Sequence, residues 1–153
     1  GFLYCSTDGK ARVEYIKPGR MSFAFKAHRI QTSTTNKYYE AYMVNDCAVH
    51  PNQARGGIIV TAGSEGRVRF WDKDVRSGRR ILERARVPIS SLEFNHDGSL
   101  LAYAASYDWS KGSGEAHMYA NDPQLRPAIM VRDSNWETRV PTPAPTFGWG
   151  GRR

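Results

Sequence analysis

Four histidines and two cysteines are the side chains best suited to catalytic or metal chemistry in this 153-residue chain. His28, His50, His96 and His117 are scattered, and none falls in a His-Glu-x-x-His or comparable metal spacing. His50 and His96 stand beside Pro51 and Asp97, where turn chemistry accounts for them without a site. Cys5 and Cys47 are too few for a disulfide framework or a zinc ligand set, and neither has an activating base close in sequence. They read as small apolar core residues in a reducing compartment. Gly63-Ser64-Glu65-Gly66 runs into a strand and not a helix, so it is no phosphate loop. These residues predict neither an enzyme nor a metal or cofactor site.

Charge is the stronger signal. The chain holds 22 Lys and Arg against 15 Asp and Glu, a formal net charge of +7. Most of that excess is local: residues 67–86 carry eight cations and three acids, a net +5. Arg67 and Arg69 share one strand face by the period of two, and Lys73 and Arg76 fall just past the strand end, at a rim. Such a patch favours phosphates or acidic peptides, and the plain alternative is a solvated basic face.

The elements that must position these groups are strands. Arg12 to Ile16, Met21 to Lys26 and Arg67 to Asp72 alternate polar and apolar residues as half-buried strands do. Tyr42 to His50 is a strand stopped by Pro51, and Ile58 to Ala62 is a buried one. Ile89 to Phe94, the Asn95-His96-Asp97-Gly98 turn and Ser99 to Ser106 repeat the same order. Gln31 to Asn36 and Gly56-Gly57 read as a surface loop and a turn. No apolar run approaches the roughly 20 residues of a spanning helix. Gly1 is not Met, and Phe2 to Cys5 reads as the inside of a strand, so the chain is expected to be a piece of something longer, with no signal peptide.

Val49 and Phe94 lie 45 positions apart, and Ala62 and Ala104 lie 42 apart. A period in the forties built from short strands is the signature of a β-propeller blade. The fold predicted is all-β, with about three blades over residues 1–132 and a disordered Pro- and Gly-rich basic tail over 133–153. Propellers close at about 4–8 blades, so the ring needs more chain than this.

Gly63-Ser64-Glu65-Gly66-Arg67-Val68-Arg69-Phe70-Trp71-Asp72 resembles the WD-repeat consensus, and Ser6 to Tyr15 is a weaker copy. In that family a His, a Ser or Thr, a Trp and a turn Asp form a structural hydrogen-bond set. His28, Thr61 and Trp71 match three of its places, but Glu65 replaces the Asp, so an incomplete network is expected. Phe25-Lys26-Ala27-His28-Arg29, Phe70-Trp71-Asp72-Lys73-Asp74-Val75-Arg76, Pro88-Ile89-Ser90 with Phe94 to Gly98, and Ala105 to Gly112 go further. Together they resemble the Gle/Rae family of messenger-RNA export factors, seven-bladed propellers that dock on nucleoporins. The match runs to about Arg132, on the C-terminal three blades. A related spindle-checkpoint propeller that binds Bub-type kinases at kinetochores shares the Phe-Lys-x-His-Arg element but lacks Asp108-Trp109-Ser110-Lys111-Gly112. An unrelated WD-repeat subunit of an enzyme complex is a third reading, and the same motif argues against it.

The resemblance implies a non-catalytic adapter of the nucleus and nuclear pore complex or envelope, also present in the cytoplasm. It implies an acidic helical-hairpin partner from a nucleoporin, with Lys10 in the place of a family Arg and Lys26 and Arg29 beside it. It also implies a basic, partly aromatic groove for RNA or ribonucleoprotein at Phe25, Trp71, Lys73 and Arg76. It implies no membrane partner and no small-molecule substrate. Ala27 stands where the family has Cys, and residues 113–127 depart from the family pattern.

Overall fold

The computed structural model describes residues 1–32, 38–52 and 57–134. The Gln31 to Asn36 loop, the Gly56-Gly57 turn and the predicted tail fall wholly or partly outside these residues. Twelve strands and one short helix are present among them. β1 (Phe2–Cys5), β2 (Lys10–Glu14) and β3 (Phe23–Lys26) form an antiparallel first sheet. β4 (Arg29–Gln31) pairs with β5 (Tyr39–Ala41) as a small separate hairpin. β6 (Val44–Val49), β7 (Ile58–Gly63), β8 (Val68–Asp72) and β9 (Ser77–Ile81) make a four-stranded second sheet in chain order. β10 (Ile89–Phe94), β11 (Leu100–Ala105) and β12 (Ala128–Asp133) make the third. These are partial propeller blades: successive meanders packed face to face. The β4–β5 hairpin and β9 lack a sequence signal: β9 (Ser-Gly-Arg-Arg-Ile) has one apolar residue and is held to β8 by the backbone ladder and the Arg79–Asp72 ion pair.

The second sheet is the centre of the packing. All six residues of β7 are buried, and so are all five of β8. Side chains alternate along each strand, so each supplies two cores. Ile59 and Trp71, opposite each other in register, face the first sheet and join Ala11, Val13, Phe25, Ala27 and Val44. Ile58, Val60, Ala62, Val68 and Phe70 face the third sheet and meet Ile89, Leu92, Phe94, Leu101 and Tyr103. Burying each large aliphatic or aromatic chain here contributes about 1.5–3 kcal/mol.

Turns set the register. Gly98 has φ +74° and closes the Asn95 to Gly98 turn, with its N–H on the Asn95 carbonyl at 3.1 Å. A Cβ there would lie 2.3 Å from the His50 ring, whose Nε2 contacts the Gly98 carbonyl oxygen at 3.0 Å. His50 therefore joins the second sheet to the third. Asp46 and Asn45 extend the same seam. Asp46 Oδ2 accepts from Ser91 Oγ and Leu92 N, both at 2.8 Å. Asn45 Nδ2 donates to the Ile89 carbonyl at 2.9 Å and to Asp108 Oδ2 at 3.0 Å. That contact gives the Asp108 to Gly112 loop a structural role, with Tyr107 stacked on Tyr119 at 4.2 Å beneath it. Residues 113–125 form two short 3-10 turns around α1 (Ala116–Asn121).

Candidate functional site

Three groups of side chains bear on function: a buried network between the first two sheets, and a basic cluster at each end of the first sheet.

The network starts at His28, fully buried in the turn after β3. Its Nδ1 lies 2.6 Å from Glu65 Oε1, and its Nε2 lies 2.8 Å from Thr61 Oγ1. Trp71 Nε1 donates to the same Thr61 oxygen at 2.9 Å. One tautomer satisfies every link: Nδ1–H donates to Glu65, and Nε2 accepts the Thr61 hydroxyl proton. Burial holds the His28 pKa below its ordinary value, so the ring is neutral. Burial alone would raise Glu65, but its bond to His28 and the Arg69 charge outweigh it and keep the carboxylate ionised. The expectation of an incomplete network is corrected: Glu65 fills the Asp place, its extra methylene reaching His28. Arg69 Nη2 adds a bond to Glu65 Oε1 at 3.2 Å.

That bond also redraws the charge map. Arg69 is 7% exposed, so the basic stretch is not one continuous rim. Arg79 pairs with Asp72 at 3.0 Å, and Arg84 Nε donates to the Glu65 carbonyl at 2.8 Å.

The first basic cluster lies where β2 begins and β3 ends. Lys10 and Lys26 are register partners across these strands, and both are exposed. Asp8 takes hydrogen bonds from Ser6 Oγ and Lys10 Nζ. Those bonds, Lys10 first, draw the Asp8 pKa down to about 2. Arg29 donates from Nε and Nη2 to the Asp8 carbonyl at 3.2 Å each. Lys26 Nζ sits 5.3 Å above the Tyr39 ring. Lys10 and Arg29 thus meet at the Asp8 carboxylate, with Lys26 beside Lys10 in register. Gly9, with φ +77°, makes the turn possible: its carbonyl accepts from Ala27 N and His28 N, and a Cβ would meet the His28 carbonyl oxygen at 2.6 Å.

The second cluster lies at the other end. Asp72 Oδ1 accepts from Asp74 N and Val75 N at 3.0 Å each, closing a turn that leaves Arg76 at φ +55°. This places the Arg76 guanidinium 4.7 Å above the Phe23 ring. Lys73 bonds Asp74 at 2.9 Å with its side chain 13% exposed. Phe23 pairs with Val13, at the far end of β3 from Lys26. Three strand steps separate Phe23 from Lys26, about 10 Å.

Two predicted groove residues are therefore corrected. Phe25 is 4% exposed and Trp71 3%; their rings meet at 4.9 Å in the core between sheets. Neither offers a face to a base. The half-exposed aromatic beside Arg76 is Phe23, two residues earlier on the same strand face. Met21 to Lys26 alternates either way, so sequence periodicity alone does not tell which phenylalanine a neighbouring sheet covers. Lys73 and Arg76 remain together, apart from Lys10, Lys26 and Arg29.

Among the described residues, no group of three or more His, Cys, Asp or Glu side chains is placed to hold a metal ion. No helix among them is long and apolar enough to cross a membrane.

The WD domain, G-beta repeat family matches residues 30–72. The chain is 39% identical over 142 residues to proteins named mRNA export factor in Sus scrofa, Xenopus tropicalis and Danio rerio. Each alignment covers 91% of this chain and 36% of the relative. The chain spans about a third of the length of these curated relatives. Among solved structures it is similar to the Cps50 (Swd1) beta-propeller domain of Myceliophteria thermophila, at TM-score 0.35 and 12% identity, over 83% of this chain and 53% of that one.

Proposed function

From the premise that this chain is a WD-repeat segment of the Gle/Rae type, we propose that it serves messenger-RNA export as a non-catalytic adapter in the nucleus and at its pores. The partner at one end of the first sheet is an acidic helical-hairpin segment of a nucleoporin, held by Lys10, Lys26 and Arg29. The partner at the other end is RNA or ribonucleoprotein, met by Lys73, Arg76 and the half-exposed Phe23. The observation that carries this reading is the apposition of Lys10 and Lys26 as register partners. Like charges directly opposite each other destabilise a sheet pair, and Asp8 offsets only part of the charge of Lys10, Lys26 and Arg29. Positive charge held together at such a cost is what an acidic peptide would neutralise on docking. The name of the relatives favours export over the kinetochore reading.

The test is binding of a fluorescent nucleoporin acidic-hairpin peptide, measured by anisotropy at graded salt. Lys10→Glu with Lys26→Glu should weaken it at least about tenfold, the effect of losing roughly 1.4 kcal/mol. Undiminished peptide binding by that variant, or equal binding of a Bub-kinase segment by the unaltered chain, overturns the reading.

A further inference from the structure

A cavity of about 560 Å3 opens between the first two sheets, at the end where β1 begins and β2 ends. Leu3, Val13 and Ile59 give it an apolar floor, and the last two are buried. Tyr15 and the half-exposed Phe2 line it as well. Lys17, Arg20 and Lys73 bring positive charge to it. Its size falls in the range of roughly 300–1,000 Å3 in which small ligands are held.

Hydrogen bonds fix this lining. Ser22 Oγ accepts from Tyr15 N at 3.0 Å and donates to Glu14 Oε1 at 2.7 Å. Arg12 Nε donates to Glu14 Oε2 at 2.8 Å. Glu14 is the one acid among the lining residues, and both its oxygens already have partners. The Arg20 guanidinium stands 5.5 Å from the centre of the Tyr15 ring. Among the described residues no ion pair engages Lys17 or Arg20. The cavity is therefore apolar at its floor, aromatic at two walls and cationic. An acidic side chain would meet the cations and leave the floor unfilled. A plain apolar group would leave the cations unmet. A nucleotide supplies both parts, a flat ring for the aromatic and apolar walls and a phosphate for Arg and Lys.

We propose that this cavity binds one unstacked nucleotide of a single-stranded RNA, with its base against Phe2 and Tyr15 and its phosphate on Arg20 and Lys73. The inference rests on the reading that RNA meets Lys73 and Arg76, and adds a base-binding site to it. Lys73 belongs to both places: it lines the cavity and lies three residues before Arg76. A strand bound along Arg76 and Lys73 thus passes the cavity. Turning one base out of the stack costs least in a strand that is already single.

The experiment measures anisotropy of a short fluorescent oligouridylate with the 153-residue chain, beside an abasic strand of the same length that keeps every phosphate. The uridylate should bind about tenfold more tightly, the effect of a stacked base. This comparison uses the unaltered chain and does not depend on any variant folding. The preference should persist in Phe23→Ala and shrink in Tyr15→Ala and in Phe2→Ala. With 4-thiouridine in the strand, photocrosslinks should map to the peptides that hold Phe2 or Tyr15. Equal binding of the two strands overturns the base site and leaves the phosphate contacts of Lys73 and Arg76 standing. No binding of either strand overturns both readings. A preference unchanged in Tyr15→Ala and Phe2→Ala, or crosslinks confined to the Phe23 peptide, overturns the cavity as the site. Displacement of the uridylate by an equal concentration of polyglutamate assigns the cavity to an acidic peptide instead and overturns the proposal.

Discussion

Glu65 Oε1 lies 2.6 Å from His28 Nδ1, and this buried contact joins the turn after the first sheet to the hairpin at the centre of the second. Thirty-seven residues separate the two in sequence. The contact closes a chain of hydrogen bonds from Trp71 through Thr61 and His28 to a carboxylate that Arg69 also holds. It is the main polar seam between the first two sheets, and it lies beneath the turn that carries Arg29.

Removing the acid should therefore be costly. Glu65→Ala leaves Arg69 and His28 buried without their partner, and breaking such a set costs about 3–5 kcal/mol. Glu65→Asp keeps the charge but withdraws it by one methylene, and should cost less than Glu65→Ala. Thr61→Val removes a neutral link and should cost about 1–3 kcal/mol. Urea midpoints of the three variants give the ranking, and a Glu65→Ala midpoint at or above that of Thr61→Val contradicts it.

Acid should loosen the same seam. His28 has its folded pKa depressed by burial, so the unfolded chain binds a proton that the folded chain refuses. The stability it contributes is present above its ordinary value of 6.5 and falls as pH drops through that value. Glu65, also depressed in the fold, adds a second loss below its ordinary 4.5. Each group contributes at most about 1.4 kcal/mol per pH unit within its window. Stability measured from pH 8 to 4 should decline below about 6.5 in the unaltered chain, and the upper part of that decline should vanish in His28→Gln.

Gly63 should tolerate no side chain. A Cβ there would stand 1.9 Å from Glu65 Oε2 and 2.2 Å from His28 Nδ1. Gly63→Ala should destabilise by about 3 kcal/mol, the upper range of overpacking. Thermal melting checks it, and a melting temperature unchanged within error contradicts the overlap.

The two phenylalanines of β3 should separate stability from binding. Phe25→Ala empties the space against Trp71 and should cost about 3–5 kcal/mol. Phe23→Ala should cost much less stability, yet weaken single-stranded RNA binding by about 1–3 kcal/mol if a base stacks there. Filter binding beside urea denaturation tests both, and RNA affinity that follows Phe25 alone would reverse the assignment.

Reversing Lys73 and Arg76 to Glu should weaken RNA binding and flatten its salt dependence. Two lost phosphate contacts lower the slope by about 1.4 on single strands. Peptide binding at Lys10 and Lys26 should persist, because the clusters lie at opposite ends of the first sheet. Equal loss of both ligands would show a single shared surface.

Much of this fold is legible in the chain itself. Alternation in Arg67 to Asp72, the 45-residue spacing of Val49 and Phe94, and the Asp97-Gly98 turn are local signals, and each marks an element where the structure has one. They are readable because backbone geometry, with its period of two and its glycine-only turns, acts over a few residues. What stacking decides is not written locally. Period two tells that Phe23 and Phe25 share a strand face, but not how far a neighbouring sheet covers each ring; the core closes over Phe25 and leaves Phe23 half-exposed beneath Arg76. The same holds for Arg69, a surface charge by composition, which burial and Glu65 turn into part of the seam. The strands of regular alternation were determined by the sequence alone; which charges and rings face each other was decided by the packing of one sheet on the next, because those contacts join residues tens of positions apart.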